Sequence, residues 1–315
     1  MKALRRLAPV LISVILLAII VGYAPWPQVG DAITDLHVLV IWILLSLSLL
    51  YYGLKSLRFW YMTRVLGIRQ PLGKVMVSYL AAQPVSLLPA GEIYRSRMLE
   101  RITDIPMRRS LPTFTMQGLM EGAAMAILAL ISTLAIGKLR AVVLILALFL
   151  IMVFTGIQRG YMATVLRLLN TLPFVSISRS RLREFSHGNQ AMLQGSAFPL
   201  LLMLSIMTEL VGVAIVYVTV TGLGGHINPW QAILTYIIPV IVGFISLLPG
   251  GLGVSEQSSI GILLLSGTGV TVAVAATLLI RVTIVGMGFL YGLITLGAVG
   301  IAESYRDNDI TAKRA

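Results

Sequence analysis

Four ionisable residues, Glu121, Glu209, Glu256 and Arg281, sit inside stretches that are otherwise apolar or glycine-rich. A charge held in hydrocarbon is costly, so such residues mark a substrate or ion path, or form a buried pair that fixes helix packing. Thr113 and Gln117 precede Glu121 at i, i+4 spacing, which on a helix makes one polar stripe. Glu209 follows Thr208 on a stretch with few other polar residues and is the weakest of the four for a role in transport.

Two proline-glycine corners carry the remaining chemistry. The first runs Pro89-Ala90-Gly91-Glu92-Ile93-Tyr94-Arg95, with Arg97 close behind. Arg95 and Arg97 offer planar donors suited to phosphate, and Glu92 could hold an arginine or a cationic group. The second runs Pro249-Gly250-Gly251-Leu252-Gly253-Val254-Ser255-Glu256. Its glycines suit close backbone packing or ligand approach, but it lacks the lysine of a P-loop. Pro89, Gly91, Pro249, Gly250, Gly251 and Gly253 are read as hinges. The plainer alternatives are a juxtamembrane basic cluster at the first corner and a hinge without ligand at the second.

Known catalytic patterns are missing from the sequence. It shows no Ser-His-Asp set, no HExxH helix, no dinucleotide fingerprint and no nucleotide-binding domain. There is no cysteine, and His37, His187 and His226 are scattered, so neither a metal nor a cofactor is expected.

The elements that must carry these residues are membrane helices. Of the 315 residues, 57% are hydrophobic and 11% charged, against about 25% charged in a soluble domain. The net charge of +12 lies between apolar runs, so lipid headgroups explain it better than nucleic acid. Loop charge then sets the topology. Ala8–Ala24 leaves the cytoplasm and Leu36–Leu54 returns to a cluster of Lys55, Arg58, Arg64, Arg69 and Lys74. Val75–Ala90 has basic residues at both ends and contains Pro84 and Pro89, which points to a re-entrant hairpin dipping in from the cytoplasm. Leu111–Ile136 crosses outward and Ala141–Ile157 returns. Residues 158–195 are expected to be a cytoplasmic amphipathic linker. Ala197–Thr221 crosses outward, Trp230–Ser266 forms a second hairpin opening to the outside, and Thr271–Leu296 returns to a cytoplasmic C-terminus.

An internal repeat supports this layout. Ser86-Leu87-Leu88-Pro89-Ala90-Gly91 matches Ser246-Leu247-Leu248-Pro249-Gly250-Gly251, and the same offset carries the flanking apolar stretches onto each other. The expected fold is therefore an all-α polytopic membrane protein, one integral membrane domain over 1–315. It has six transmembrane helices plus two oppositely oriented re-entrant hairpins, arranged as an inverted repeat of 36–136 and 197–296. Inverted repeats with broken helices belong to transporters, with the site near the midplane between the halves.

At both corners the chain resembles the lysylphosphatidylglycerol synthase transmembrane-region family, the flippase-like membrane domains. The resemblance rests on Leu88–Arg95, on Leu248–Glu256, and on the later Gly269-Val270 and Leu279-Ile280-Arg281, and covers roughly Leu36 to Gly300. It implies a prokaryotic plasma-membrane protein that handles lipids. Full-length synthases continue into a soluble aminoacyl-transfer domain; this chain stops at Ala315, so that activity is expected to be absent. One departure stands out. The family often carries a Glu-Arg pair and then an Asp on the span after the first hairpin, where this chain has Gln117, Gly118 and Glu121.

The resulting expectation is a lipid flippase or translocase without its own ATPase and without enzyme activity. It would move an anionic or aminoacylated phospholipid, or a polyprenyl-phosphate-linked lipid. Substrate contacts are assigned to Glu92, Tyr94, Arg95, Arg97, Gln117, Glu121, Glu256 and Arg281. Glu121 and Arg281 are equivalent under the repeat, and each lies about 15 Å into its span at 1.5 Å per residue, so they are expected to meet or share a headgroup. The partners are membrane lipids and no nucleic acid; the reading also allows a homo-oligomer or a partner lipid-modifying enzyme. The alternatives are a membrane-embedded transferase acting on lipid headgroups, with Glu92 and Glu256 as candidates, and a small-solute permease.

Overall fold

The computed structural model describes residues 22–86, 91–135, 188–193, 196–246 and 248–312. Among these the chain is helical throughout its regular structure, with no strand. In chain order the helices are α1 (Trp26–Thr34), α2 (Val38–Val65), α3 (Leu72–Ala81), α4 (Gln83–Ser86), α5 (Tyr94–Thr103), α6 (Met107–Ser110) and α7 (Pro112–Ala135). They continue as α8 (Ala197–Gly222), α9 (Pro229–Ser246), α10 (Val254–Leu265), α11 (Val270–Arg281) and α12 (Met287–Ala312). The expected spans Ala8–Ala24, apart from its last three residues, and Ala141–Ile157 lie outside the described residues, as do residues 158–187 of the linker.

Among the described residues, five helices are long and apolar enough to cross a membrane: Val38–Val65, Met107–Ser132, Ala197–Gly222, Pro229–Ser246 and Val270–Gly300. Helices α3 and α10, with 10 and 12 residues, are apolar but short. At 1.5 Å per residue they reach about 15–18 Å, against about 30 Å of hydrocarbon. The chain is a multi-pass membrane protein. Its outward faces fit that solvent: Val38, Leu39, Trp42, Leu49 and Leu50 on α2 are all exposed apolar side chains.

The span expected to end at Leu54 does not end there. Helix α2 continues without a break to Val65. Its start is fixed by His37, whose Nδ1 accepts a hydrogen bond from the Leu39 amide, satisfying one of the free donors of the first turn. Helix α9 starts with a reciprocal cap. Asn228 Oδ1 accepts from the Gln231 amide at 2.9 Å, and Gln231 Oε1 accepts from the Asn228 amide at 2.8 Å.

Proline and glycine shape the breaks. The first broken segment stops at Ala81, turns at Ala82 and resumes in α4 around Pro84. Helix α12 packs directly on this break through Gly292, where a Cβ would lie 2.3 Å from Pro84 Cδ. The last span is also not a uniform helix. Residues Val282–Gly286 form a π-helical turn between α11 and α12. Two carbonyls there are claimed by α2: Ser48 Oγ donates to Thr283 O at 2.9 Å and Tyr52 Oη to Ile284 O at 2.6 Å. Side-chain donors thus satisfy carbonyls at a disturbed ladder inside the protein.

The element order recurs along the chain. The shift that carries Pro89 onto Pro249 also carries α2 onto α8, α3 and α4 onto α9, α5 onto α10, and α7 onto α11 and the start of α12. Packing follows the same exchange. Helices α2 and α8 pack on each other, α7 packs on α9, and α12 packs on α3 and α4. The main core lies among α7, α8, α9, α10 and α11, with Val213, Val216, Ile233, Ile237, Leu263 and Ala276 buried together. A second core of Tyr51, Tyr52, Phe59, Val75, Tyr79 and Leu99 joins α2, α3 and α5.

Candidate functional site

The structure holds two charged centres and one cavity, which the second centre lines. The first lies where α2, α7 and α8 meet. Arg58, 1% exposed, pairs with Glu121 and donates to Ser205 Oγ at 2.8 Å. Lys55 Nζ lies 3.2 Å from the same Glu121 oxygen, and Gln117 Nε2 is 3.4 Å from it. The ammonium of Lys55 also sits 4.6 Å above the Tyr51 ring. Two cations therefore converge on one carboxylate, with a hydroxyl and an amide completing the polar set.

Glu209 on α8 belongs to this neighbourhood. It is fully buried, and its Oε2 accepts a hydrogen bond from Tyr236 Oη at 2.8 Å. Tyr236 Oη in turn lies 3.2 Å from Tyr51 Oη. Tyr236 reaches this position because Gly212 leaves room for it; a Cβ there would be 2.3 Å from the tyrosine ring.

The second centre is built by the second corner. Gly250, Gly251 and Gly253 all have positive φ, at 60°, 65° and 86°. Left-handed backbone is inexpensive only for glycine, which explains three glycines in four residues. The corner presses on α9: a Cβ at Gly251 would be 2.9 Å from Gly243 Cα, and Ser255 Oγ donates to Pro239 O at 2.9 Å. At the start of α10, Glu256 Oε2 accepts from the Gly253 amide at 2.7 Å. Its other oxygen accepts from Arg281 Nε, while Arg281 also donates to Gly250 O at 2.9 Å. Arg281 thereby ties α11 to both the corner and the helix that follows it.

Beside the second centre lies a cavity of about 670 Å³. Glu256 and Arg281 line one part of it, and Tyr51 and Tyr236 line another. Ser86 comes from the first broken segment, and Gly250, Gly251 and Ser255 come from the second corner. Pro239, Val240, Phe244, Leu248 and Ile284 make most of the remaining wall apolar. Such a cavity suits a ligand with an apolar body and a polar or charged end.

The sequence-assigned residues divide among these places. Glu256 and Arg281 come together, and Gln117 and Glu121 share the first centre. Glu121 and Arg281 do not pair: Glu121 is held by Lys55 and Arg58, and Arg281 by Glu256. Positions equivalent under a repeat need not touch, and each charge has found a closer partner. Arg95 and Arg97 also separate. Arg95 is buried and stacks 4.4 Å from the Tyr79 ring, whereas Arg97 is exposed and pairs with Glu100. Two residues along a helix turn about 200°, so neighbours at i, i+2 face opposite ways. Tyr94 packs at the edge of a small core with Ala81, Ala82 and Met98. The side chains of Glu92 and Pro249, and all of Pro89, lie outside what the structure describes. Gly91 is a close-contact position: a Cβ would sit 1.8 Å from the Val85 carbonyl oxygen.

Sequence reasoning did not single out Lys55, Arg58, Tyr51 and Tyr236, which the structure brings together with Glu121 and Glu209. The charge rule alone puts Lys55 and Arg58 in a cytoplasmic loop. The signal that could have found them is helical spacing: Ser48, Tyr51, Tyr52, Lys55, Arg58 and Phe59 recur at three and four residues, a continuous face. Among the described residues no group of three or more His, Cys, Asp or Glu could hold a metal ion.

The family model for the lysylphosphatidylglycerol synthase TM region matches residues 6–292. The chain belongs to this family. No curated protein matches it. Family membership links the chain to the handling of membrane lipid, and the matched region contains both charged centres, the cavity and both corners. The apolar wall and charged end of the cavity are consistent with a lipid as partner.

Proposed function

We propose that the protein is a lipid flippase or translocase, moving a phospholipid or polyprenyl-phosphate-linked lipid across the membrane without an ATPase of its own. The observation that carries this reading is the cavity lined by the second corner and by Ser86 of the first broken segment, apolar along most of its wall and bearing the Glu256–Arg281 pair at one part. Lipid tails fit the apolar wall. Arg281 is the donor for a phosphate, and Glu256 is the acceptor for a cationic headgroup if one is present. The glycine corner is the element that yields when the headgroup passes, because Arg281 holds it through a side-chain hydrogen bond to Gly250 O that a phosphate can replace.

In this reading the broken segments α3–α4 and α9–α10 are re-entrant hairpins of opposite orientation, and 36–136 and 197–296 are inverted repeats. The regular recurrence of elements and the exchanged packing of α7 on α9 and of α12 on α3 support it. The membrane is a prokaryotic plasma membrane, with both termini cytoplasmic. The chain acts as a transporter rather than an enzyme, alone, as a homo-oligomer, or beside a lipid-modifying enzyme.

The test is reconstitution into liposomes with phosphatidylglycerol carrying a fluorescent acyl chain, followed by reduction of label in the outer leaflet. Wild type should expose inner-leaflet label faster than empty liposomes, and Arg281→Gln should slow it. Removing a charge-assisted hydrogen bond from a partly dry site costs roughly 1.5–3 kcal/mol, about 10- to 100-fold. Chemical analysis of the same lipids separates transport from transfer: a modified lipid product with no exchange between leaflets would favour a transferase.

A further inference from the structure

Glu209 is the most unusual polar group among the described residues. It has no exposed surface, and its Oε1 has no hydrogen-bond partner, although Oε2 is bound by Tyr236. Buried polar atoms are normally paired, and an exception in a native fold calls for a reason. A carboxylate with one bare oxygen in a dry bundle is costly. Adding a proton at Oε2 removes the charge and leaves the bare Oε1 a neutral carbonyl oxygen.

Two tyrosines give that proton a route. Tyr236 donates to Glu209 Oε2, and its oxygen can accept from Tyr51 Oη at 3.2 Å. Both tyrosines line the cavity. A hydronium ion there can pass a proton to Tyr51 as Tyr51 passes its own to Tyr236 and Tyr236 passes its own to Glu209. Hydronium becomes water, carboxylate becomes carboxylic acid, and both tyrosines end as neutral phenols.

The groups around Glu209 give the proton a consequence. Helix α2 presents Tyr51, Lys55 and Arg58, α7 presents Glu121, and α9 presents Tyr236. Helix α11, also packed on α8, contributes Arg281, which is held by Glu256. Lys55 and Arg58 balance Glu121 and an ionised Glu209. Once Glu209 is protonated, this set carries one uncompensated positive charge.

We propose that Glu209 is a proton-binding site, loaded from the cavity through Tyr51 and Tyr236, and that its protonation lets the Lys55–Arg58 centre take up one anionic group. The proton and the anionic headgroup thus bind together. This rests on the transport reading for its second half, while the proton site itself does not.

Two measurements test it. In liposomes containing fluorescent phosphatidylglycerol, an imposed pH gradient should change the wild-type translocation rate several-fold between its two directions. Glu209→Gln, nearly isosteric and without a titratable proton, should show the same rate in both. Wild-type translocation that ignores the gradient would overturn the coupling and leave transport standing. Absence of translocation in every sample would remove the transport reading and the coupling with it, and the proton site would then be decided without lipid movement. Infrared difference spectra of purified protein between acid and alkaline pH should contain a protonated-carboxyl C=O band that Glu209→Gln removes. In Tyr236→Phe the band should remain but shift in deuterium oxide several-fold more slowly. A spectrum unchanged by Glu209→Gln would overturn the proton site, and unchanged exchange in Tyr236→Phe would overturn the tyrosine route.

Discussion

Replacing Glu121 by Gln should destabilise the protein more than replacing its main partner. The carboxylate is the shared counter-ion of Lys55 and Arg58, and Arg58 is 1% exposed. Glu121→Gln leaves two cations facing a neutral amide. Breaking a buried pair by removing one partner costs about 3–5 kcal/mol, because the remaining charge stays buried without compensation. Arg58→Met is the milder change. Glu121 keeps Lys55 at 3.2 Å and Gln117 beside it, and Ser205 Oγ still donates to Leu201 O at 2.8 Å. Loss of hydrogen bonds to a charged group then sets the cost, about 1.5–3 kcal/mol. The double variant removes one cation and the carboxylate that held it together, so it should fall short of the sum by about 0.5–3 kcal/mol, the range of directly coupled neighbours. Equilibrium unfolding by sodium dodecyl sulfate in mixed micelles, for the wild type and three variants, reads all four corners of this cycle. Additive effects, or a smaller loss in Glu121→Gln than in Arg58→Met, would refute the shared-counter-ion account.

The remaining predictions concern separate parts of the bundle. Gly91→Ala places a Cβ 1.8 Å from Val85 O and should abolish folded expression, whereas Gly118→Ala meets nothing within 4 Å and should keep or raise stability by up to about 1 kcal/mol; size-exclusion profiles and unfolding midpoints distinguish the two. Arg97→Ala removes an exposed pair and should cost less than about 1 kcal/mol, while Arg95→Ala removes a buried cation stacked on Tyr79 and should cost more; the same unfolding assay ranks them. The Glu100 carboxyl is held below its ordinary value by the Met107 amide first and by Arg97 second. A depressed value in the folded state means that its stabilising hydrogen bond is complete above the ordinary carboxylate range and disappears as pH falls through the lowered value. Hydrogen exchange at the Met107 amide should therefore lose protection under acid, and should lose it at all pH values in Glu100→Ala, which has no side-chain acceptor.

Much of the helical layout was legible because membrane helices announce themselves by apolar length. The expected spans Leu111–Ile136 and Ala197–Thr221 differ from the observed Pro112–Ala135 and Ala197–Gly222 only at their ends. Charge was a poorer guide to boundaries. Loop charge makes Lys55 and Arg58 the end of a span, yet α2 carries them inside the bundle because Glu121 is there to receive them. A counter-ion on another helix leaves no trace in local hydropathy. The Glu256–Arg281 pair was half legible: both residues stand out in the sequence, but the repeat suggests Glu121 as the partner of Arg281. The corner decides otherwise, since Gly253 starts α10 so that Glu256 faces both its own helix cap and Arg281. The π-turn at Val282–Gly286 had no sequence signal, because its carbonyls are satisfied by Ser48 and Tyr52 from the opposite end of the chain.

The most direct test of lipid passage through the cavity is to plug it. The chain has no cysteine, so Val240→Cys gives a single thiol on the cavity wall at a position 42% exposed. Fluorescent phosphatidylglycerol translocation in liposomes should be near wild type before labelling and should stop after reaction with a bulky maleimide. Quantitative labelling of Val240→Cys with no change in the translocation rate would contradict the account.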